Sequence, residues 1–99
     1  MQNFNVSLLK SVMPEICRFY GIIIRMFFRD HLPPHFHVEY AEHKAKINII
    51  DGEVLEGTLP RKALRLVQAW TEIHREELLI NYEQSLKDSG ILSKIEPLK

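Results

Sequence analysis

His31, His35 and His37, three of the five histidines in this chain of 99 residues, fall within one apolar stretch that also carries Arg25 and Arg29. That combination can bind a metal, hold an anion or move a proton. Imidazoles at i and i+2 of a strand project from one face and could converge on a cation, with His31 or Glu39 as a third ligand. Arg25 and Arg29 share the expected face and Lys46 borders it, so a divalent ion would sit among positive charges with only Glu39 to oppose them. We therefore expect no metal and no cofactor. A phosphate or carboxylate suits the charges better, because an arginine grips it at two points while His35 and His37 supply donors that strengthen on protonation. The same two histidines are the candidate acid and base for attack by an RNA 2′-hydroxyl, with the arginines holding the phosphate. Against these readings stands a plain one, in which Arg25, Glu39 and Lys46 form a solvated charge ladder of little energetic weight and the histidines are merely tolerated.

The elements that must position these residues follow from periodicity. Residues 20–40, YGIIIRMFFRDHLPPHFHVEY, read as two apolar runs around Asp30-His31-Leu32-Pro33-Pro34. The paired prolines lack ladder donors and fix φ, so the chain turns there. A loop over residues 30–34 sets Arg29 opposite His35, Phe27 opposite His37, Arg25 opposite Glu39 and Ile24 opposite Tyr40. Ile24, Met26, Phe28, Phe36, Val38 and Tyr40 then form a buried face, and Arg25, Phe27, Arg29, His35, His37 and Glu39 the open one. Phe27 on the open face is a stacking platform, a partner contact or part of a second small core.

Around this hairpin, Ile16–Phe19 reads as a strand ending at Tyr20-Gly21. After a polar connection over residues 41–44, the run over residues 45–50 alternates, placing Glu39 beside Lys46 and His37 beside Asn48. Asp51-Gly52 is a strong two-residue turn signal that brings Val54 opposite Ile49, with a bulge or strand end near Glu56-Gly57. From Pro60 to about Leu86 the spacing predicts one long helix, with Ala63, Leu64, Leu66, Val67, Trp70, Ile73, His74 and Leu78 on its apolar side. Glu77 and Asn81 interrupt that stripe, and Leu79 and Ile80 point elsewhere, so the helix either bends there or offers a second contact surface. His74 reads as a satisfied core histidine, His43 as a turn residue and Cys17 as a small buried hydrophobe. Asp88-Ser89-Gly90 ends the helix, and the four large apolar residues of the tail favour docking on the body. The fold class is thus α+β, two-layered, with an antiparallel sheet of four or five strands and one long helix on one face.

Composition sets outer limits. Thirteen basic residues balance thirteen acidic ones, so no global field announces a nucleic-acid partner and any such binding needs a local patch. One cysteine precludes an internal disulfide. The longest apolar run, Ile22–Ile24, is far too short for a membrane span, and the first dozen residues lack the features of a signal peptide, so a cytoplasmic protein is expected. Phe4, Val6 and Leu8 alternate weakly, as an added edge strand would.

The runs at residues 18–31 (RFYGIIIRMFFRDH), 33–40 (PPHFHVEY), 51–57 (DGEVLEG), 59–67 (LPRKALRLV) and 94–98 (KIEPL) resemble the bacterial domain-of-unknown-function family 4160. Chain length allows one domain, and the resemblance, which covers about residues 13–98 with members starting near the equivalent of Met13-Pro14, implies that this domain occupies residues 13–99 with residues 1–12 as an N-terminal extension. It also implies a small protein partner encoded nearby, because members are often found beside another small protein and have the size of toxin and antitoxin proteins. No activity is carried over. The expectation is a non-catalytic regulatory or interaction module of toxin-antitoxin type, with a metal-independent ribonuclease or RNA-binding protein as the alternative. Its ligand-binding residues are Arg25, Arg29, His35, His37, Glu39 and Lys46. RNA or another anion is the expected non-protein ligand, and self-association as a homodimer is a further expectation.

Overall fold

The computed structural model describes residues 13–99, so the alternation at Phe4, Val6 and Leu8 lies outside the described residues. Strands β1 (Glu15–Phe19), β2 (Ile22–Arg25), β3 (His35–Tyr40), β4 (His43–Asn48) and β5 (Val54–Gly57) form one antiparallel sheet in sequence order. Helices α1 (Arg61–Ile73) and α2 (Arg75–Ser85) cover one face. This is the expected α+β class.

The faces of β2 and β3 agree with the expectation, but their register differs by two residues. Arg25 lies opposite His37, and Ile24 opposite Val38. The strand ends early because its next donors find partners elsewhere: the Met26 N–H donates to the Pro14 carbonyl at 3.2 Å, and the Arg29 N–H to the Ser85 carbonyl at 2.9 Å. Residues 26–34 therefore make a longer loop, and Phe28 lies only half-buried. A slip of one residue would have turned charges into the core; a slip of two keeps the inward residues of the strands themselves inward. The β3–β4 register differs in the same way. Its turn is only Ala41-Glu42, so Glu39 lies opposite Lys44, His37 opposite Lys46 and His35 opposite Asn48.

At the Tyr20-Gly21 turn both residues have positive φ, 51° and 80°, which matches the right-handed twist of the flanking strands. The Asp51-Gly52 turn is wider than expected. The Asn48 side chain accepts from the Ile50 N–H at 2.8 Å and that of Asp51 from the Glu53 N–H at 2.9 Å, so side chains replace ladder bonds and Val54 lies opposite Ile47 rather than Ile49. The expected bulge is present, with Leu55 as the extra residue between Val54 and Glu56. Gly57 is required there, since a Cβ would sit 2.1 Å from the Lys44 carbonyl oxygen.

In place of one long helix there are two, interrupted at His74, which has φ −112° and ψ 22°. Pro60 occupies the N-cap rather than the first turn, and the chain leaves the helix at Leu86, before Asp88-Ser89-Gly90. Ile73 departs from the expected apolar side and is 65% exposed. His74 is half-buried, bonded to Glu77 and beside Trp70. Asn81 breaks the stripe for a clear reason: its amide donates to the Ser93 carbonyl at 2.8 Å and accepts from the Ser93 N–H at 2.9 Å, pairing with the tail as a strand would. The tail docks as expected. Ile95 is buried and its N–H donates to the Ile16 carbonyl at 2.9 Å, beside β1.

Trp70 is fully buried between Phe19 and Phe36, with ring centroids 5.6 and 5.7 Å away, and its indole N–H donates to the Glu96 carbonyl at 2.8 Å. Trp70→Ala is expected to cost about 3–5 kcal/mol. Trp70→Phe, which keeps most of the packing but loses the bond, should cost clearly less. Equal melting temperatures for wild type and the alanine variant would contradict this packing.

Candidate functional site

Pairing across the sheet sets Glu15, Arg25, His37, Lys46 and Glu56 in one row on the open face. His37 is thus flanked directly by two cations. Each is already engaged: Arg25 Nε donates to Glu39 at 3.1 Å and its Nη1 to the Met13 carbonyl at 3.1 Å, while Lys46 lies 3.1 Å from Glu56. Of the expected site residues, Arg25, His35, His37, Glu39 and Lys46 do share this face.

Arg29 does not. It sits in the loop at φ 60°, its side chain paired with Asp88 just past α2. Asp30 takes its place over the sheet. One carboxylate oxygen, Oδ2, lies 2.9 Å from Nε2 of His35 and 2.9 Å from Nε2 of His37. The site is built from several sides. His35 is only 4% exposed, and its Nδ1 donates to the Pro33 carbonyl at 2.7 Å. Phe27 stacks on His37, with ring centroids 3.8 Å apart. Tyr82 Oη donates to the Asp30 carbonyl at 3.1 Å, tying the loop to α2. His31, the expected third ligand, is instead 90% exposed, with Nδ1 3.8 Å from Asp30 Oδ1.

Burial resists ionisation of Asp30, but hydrogen bonds from His37 and His35 outweigh it and hold its carboxyl below the ordinary range. Burial lowers the pKa of His37; the bond to Asp30 opposes this, and the charges of His35 and Lys46 add to the lowering. Cys17 is buried, and that burial pushes its thiol up, so it is a packing group and not a nucleophile.

Sequence reasoning missed Asp30, reading it as a turn residue. Its signal was the spacing Asp30, His35, His37 on one short loop and strand. Only the contacts of that loop with Ser85 and Tyr82, more than fifty residues on in the numbering, bring the carboxylate back over the face. The electrostatic objection to a metal also changes, since Arg29 points away and Arg25 is paired with Glu39.

Beside His37 lies an open cavity of about 250 Å³, walled by Phe27, His37, Glu39, Lys44, Lys46 and Glu56. Among the described residues no helix is long and apolar enough to cross a membrane.

Fold and site together define a small α+β meander domain with a histidine–aspartate cluster under a polar sheet face. The chain belongs to the family described as Domain of unknown function (DUF4160), which it matches over residues 21–83, from the start of β2 through most of α2. No curated protein and no solved structure matches it.

If the cluster holds the loop, Asp30→Ala strands buried His35 without its partner and should cost about 1–3 kcal/mol. Arg29→Ala removes an exposed pair and should cost less than about 1 kcal/mol. Denaturant melts of both variants check this, and a reversed order would place the loop's anchor at Asp88.

Proposed function

We propose that the domain is a non-catalytic binding module whose open sheet face takes a phosphate-bearing ligand, with short single-stranded RNA as the specific case. The observation that carries this is the position of His37 between Arg25 and Lys46, at a cavity walled by the flat ring of Phe27. An aromatic wall accepts a base or sugar without sequence preference, while the cations take the phosphate. Part-exposed ion pairs such as Lys46–Glu56 are weak, so an incoming phosphate can displace the carboxylate at little cost.

The metal-independent ribonuclease reading is weaker on this geometry. Acid and base must each reach the substrate, whereas the Nε2 atoms of both histidines face the same Asp30 oxygen and the other nitrogen of His35 is bonded to Pro33. A regulatory role of toxin-antitoxin type would use the same binding face. The second reading is a protein partner at the Leu79-Ile80 surface, favoured by Ile80, which is 60% exposed, although Leu79 packs against the core.

Titrating isotope-labelled protein with short single-stranded RNA at low salt should move the signals of Phe27, His37 and Lys46. With two phosphates neutralised, the slope of log K against log salt should be about −1.4, and Lys46→Ala should reduce its magnitude by about 0.7. No shifts at low salt, or shifts unaffected by Lys46→Ala, would overturn the proposal. Co-purification of a partner protein that Ile80→Lys abolishes, without RNA shifts, would favour the second reading.

A further inference from the structure

We propose that Asp30, His35 and His37 form a mononuclear site for a divalent first-row transition-metal ion, bound through Oδ2 of the aspartate and Nε2 of both histidines. This site shares His37 with the proposed phosphate face, but neither Arg25 nor Lys46 is among its ligands.

The three donor atoms lie within 4.8 Å of one another, with Oδ2 2.9 Å from each nitrogen. Ligands about 2.1 Å from a common ion stand about 3.0 Å apart on one face of an octahedron and about 3.4 Å apart in a tetrahedron, so both aspartate–histidine spacings already suit a shared ion, and the two nitrogens, within 4.8 Å of each other, complete the set by a rotation of the part-exposed His37 ring. The set of two imidazoles and one carboxylate, without sulfur, suits iron(II), manganese, cobalt, nickel or zinc. It does not suit calcium or magnesium, which prefer oxygen ligands throughout.

The surroundings of each ligand have the form that metal sites require. Nδ1 of His35 donates to the Pro33 carbonyl, which fixes the ring and leaves Nε2 to face inward. That buried ring lies between two acceptors, the Pro33 and Asp30 oxygens, so its Nε2 needs either a second proton or a cation to share with the carboxylate. Phe27 holds the ring of His37 by stacking, and Tyr82 holds the backbone of Asp30. All three ligands are therefore oriented by something other than one another.

Neighbouring charge does not forbid the ion. Arg29 is turned to Asp88, and Arg25 and Lys46 are each paired with a glutamate. The side chains of Asp30 and His37 remain 15% and 16% exposed, enough for an ion to enter and for water to fill the positions that three protein ligands leave open.

The test uses the whole chain, stripped with a chelator and confirmed folded by circular dichroism, then titrated separately with zinc, iron(II), manganese, cobalt and nickel. One ion per chain is expected, and with cobalt the visible ligand-field bands of a nitrogen and oxygen site. Asp30→Asn and His37→Gln, which keep size and hydrogen-bonding capacity, should each weaken binding by roughly a hundredfold or more, beyond what the loss of an outer partner costs. Arg65→Ala, on the exposed side of α1, should leave affinity, stoichiometry and spectrum unchanged. A folded wild-type chain that takes up none of these ions at micromolar concentration would overturn the proposal. So would binding that persists at wild-type strength in both ligand variants; the cluster would then be held by protons alone.

Discussion

Trp70 is the contact on which the three parts of this domain converge. Its ring packs against Phe19 of β1 and Phe36 of β3, and its N–H reaches the backbone of Glu96 in the tail. A small sheet with helices on one side has few large residues with which to offset chain entropy, so one side chain that touches sheet, helix and tail has a disproportionate share. The bond from the indole also removes a polar problem, because a buried N–H without an acceptor costs more than a made bond contributes. The tail is therefore part of the core, although Ile95 is its only fully buried residue.

The same need for satisfied polar groups explains how the site comes to lie where it does. Residues 26–34 leave the sheet and must find partners for their backbone away from the strands. They find them at Pro14, Ser85 and Tyr82, and these contacts carry Asp30 over β3. Placement of the carboxylate is thus a result of how the loop is anchored to α2, and the site inherits the rigidity of the helix.

This dependence also decides how much could be read from residues alone. Alternation is local, so the buried and open faces of β2, β3 and β4 were legible, and so was the Trp70 stripe apart from Ile73; a bulge was one of two readings near Glu56-Gly57, and it falls at Leu55. Registers were legible only in parity: Arg25 faces His37 and not Glu39, because loop length depends on partners that the hairpin does not contain. The break at His74 was displaced from the expected bend for a related reason. Asn81, which seemed by type to spoil a helix face, is the residue that fastens the tail. Arg29 and Asp30 exchanged their expected places, and no periodicity distinguishes a turn residue that points outward from one that folds back.

A chain with balanced charge can still carry a strongly polarised surface when the sheet sorts the charges by row. In the row through His37 the cations stand inside and Glu15 and Glu56 at the ends, so the centre is basic at short range while the whole field cancels at distances beyond about 10 Å in ordinary salt. A face of this kind does little to steer a charged species from afar and acts only at contact range. The neighbouring cluster supplies a further constraint. With His37 stacked on Phe27 and bonded to Asp30, the centre of the row is held by contacts from the loop as well as by the sheet.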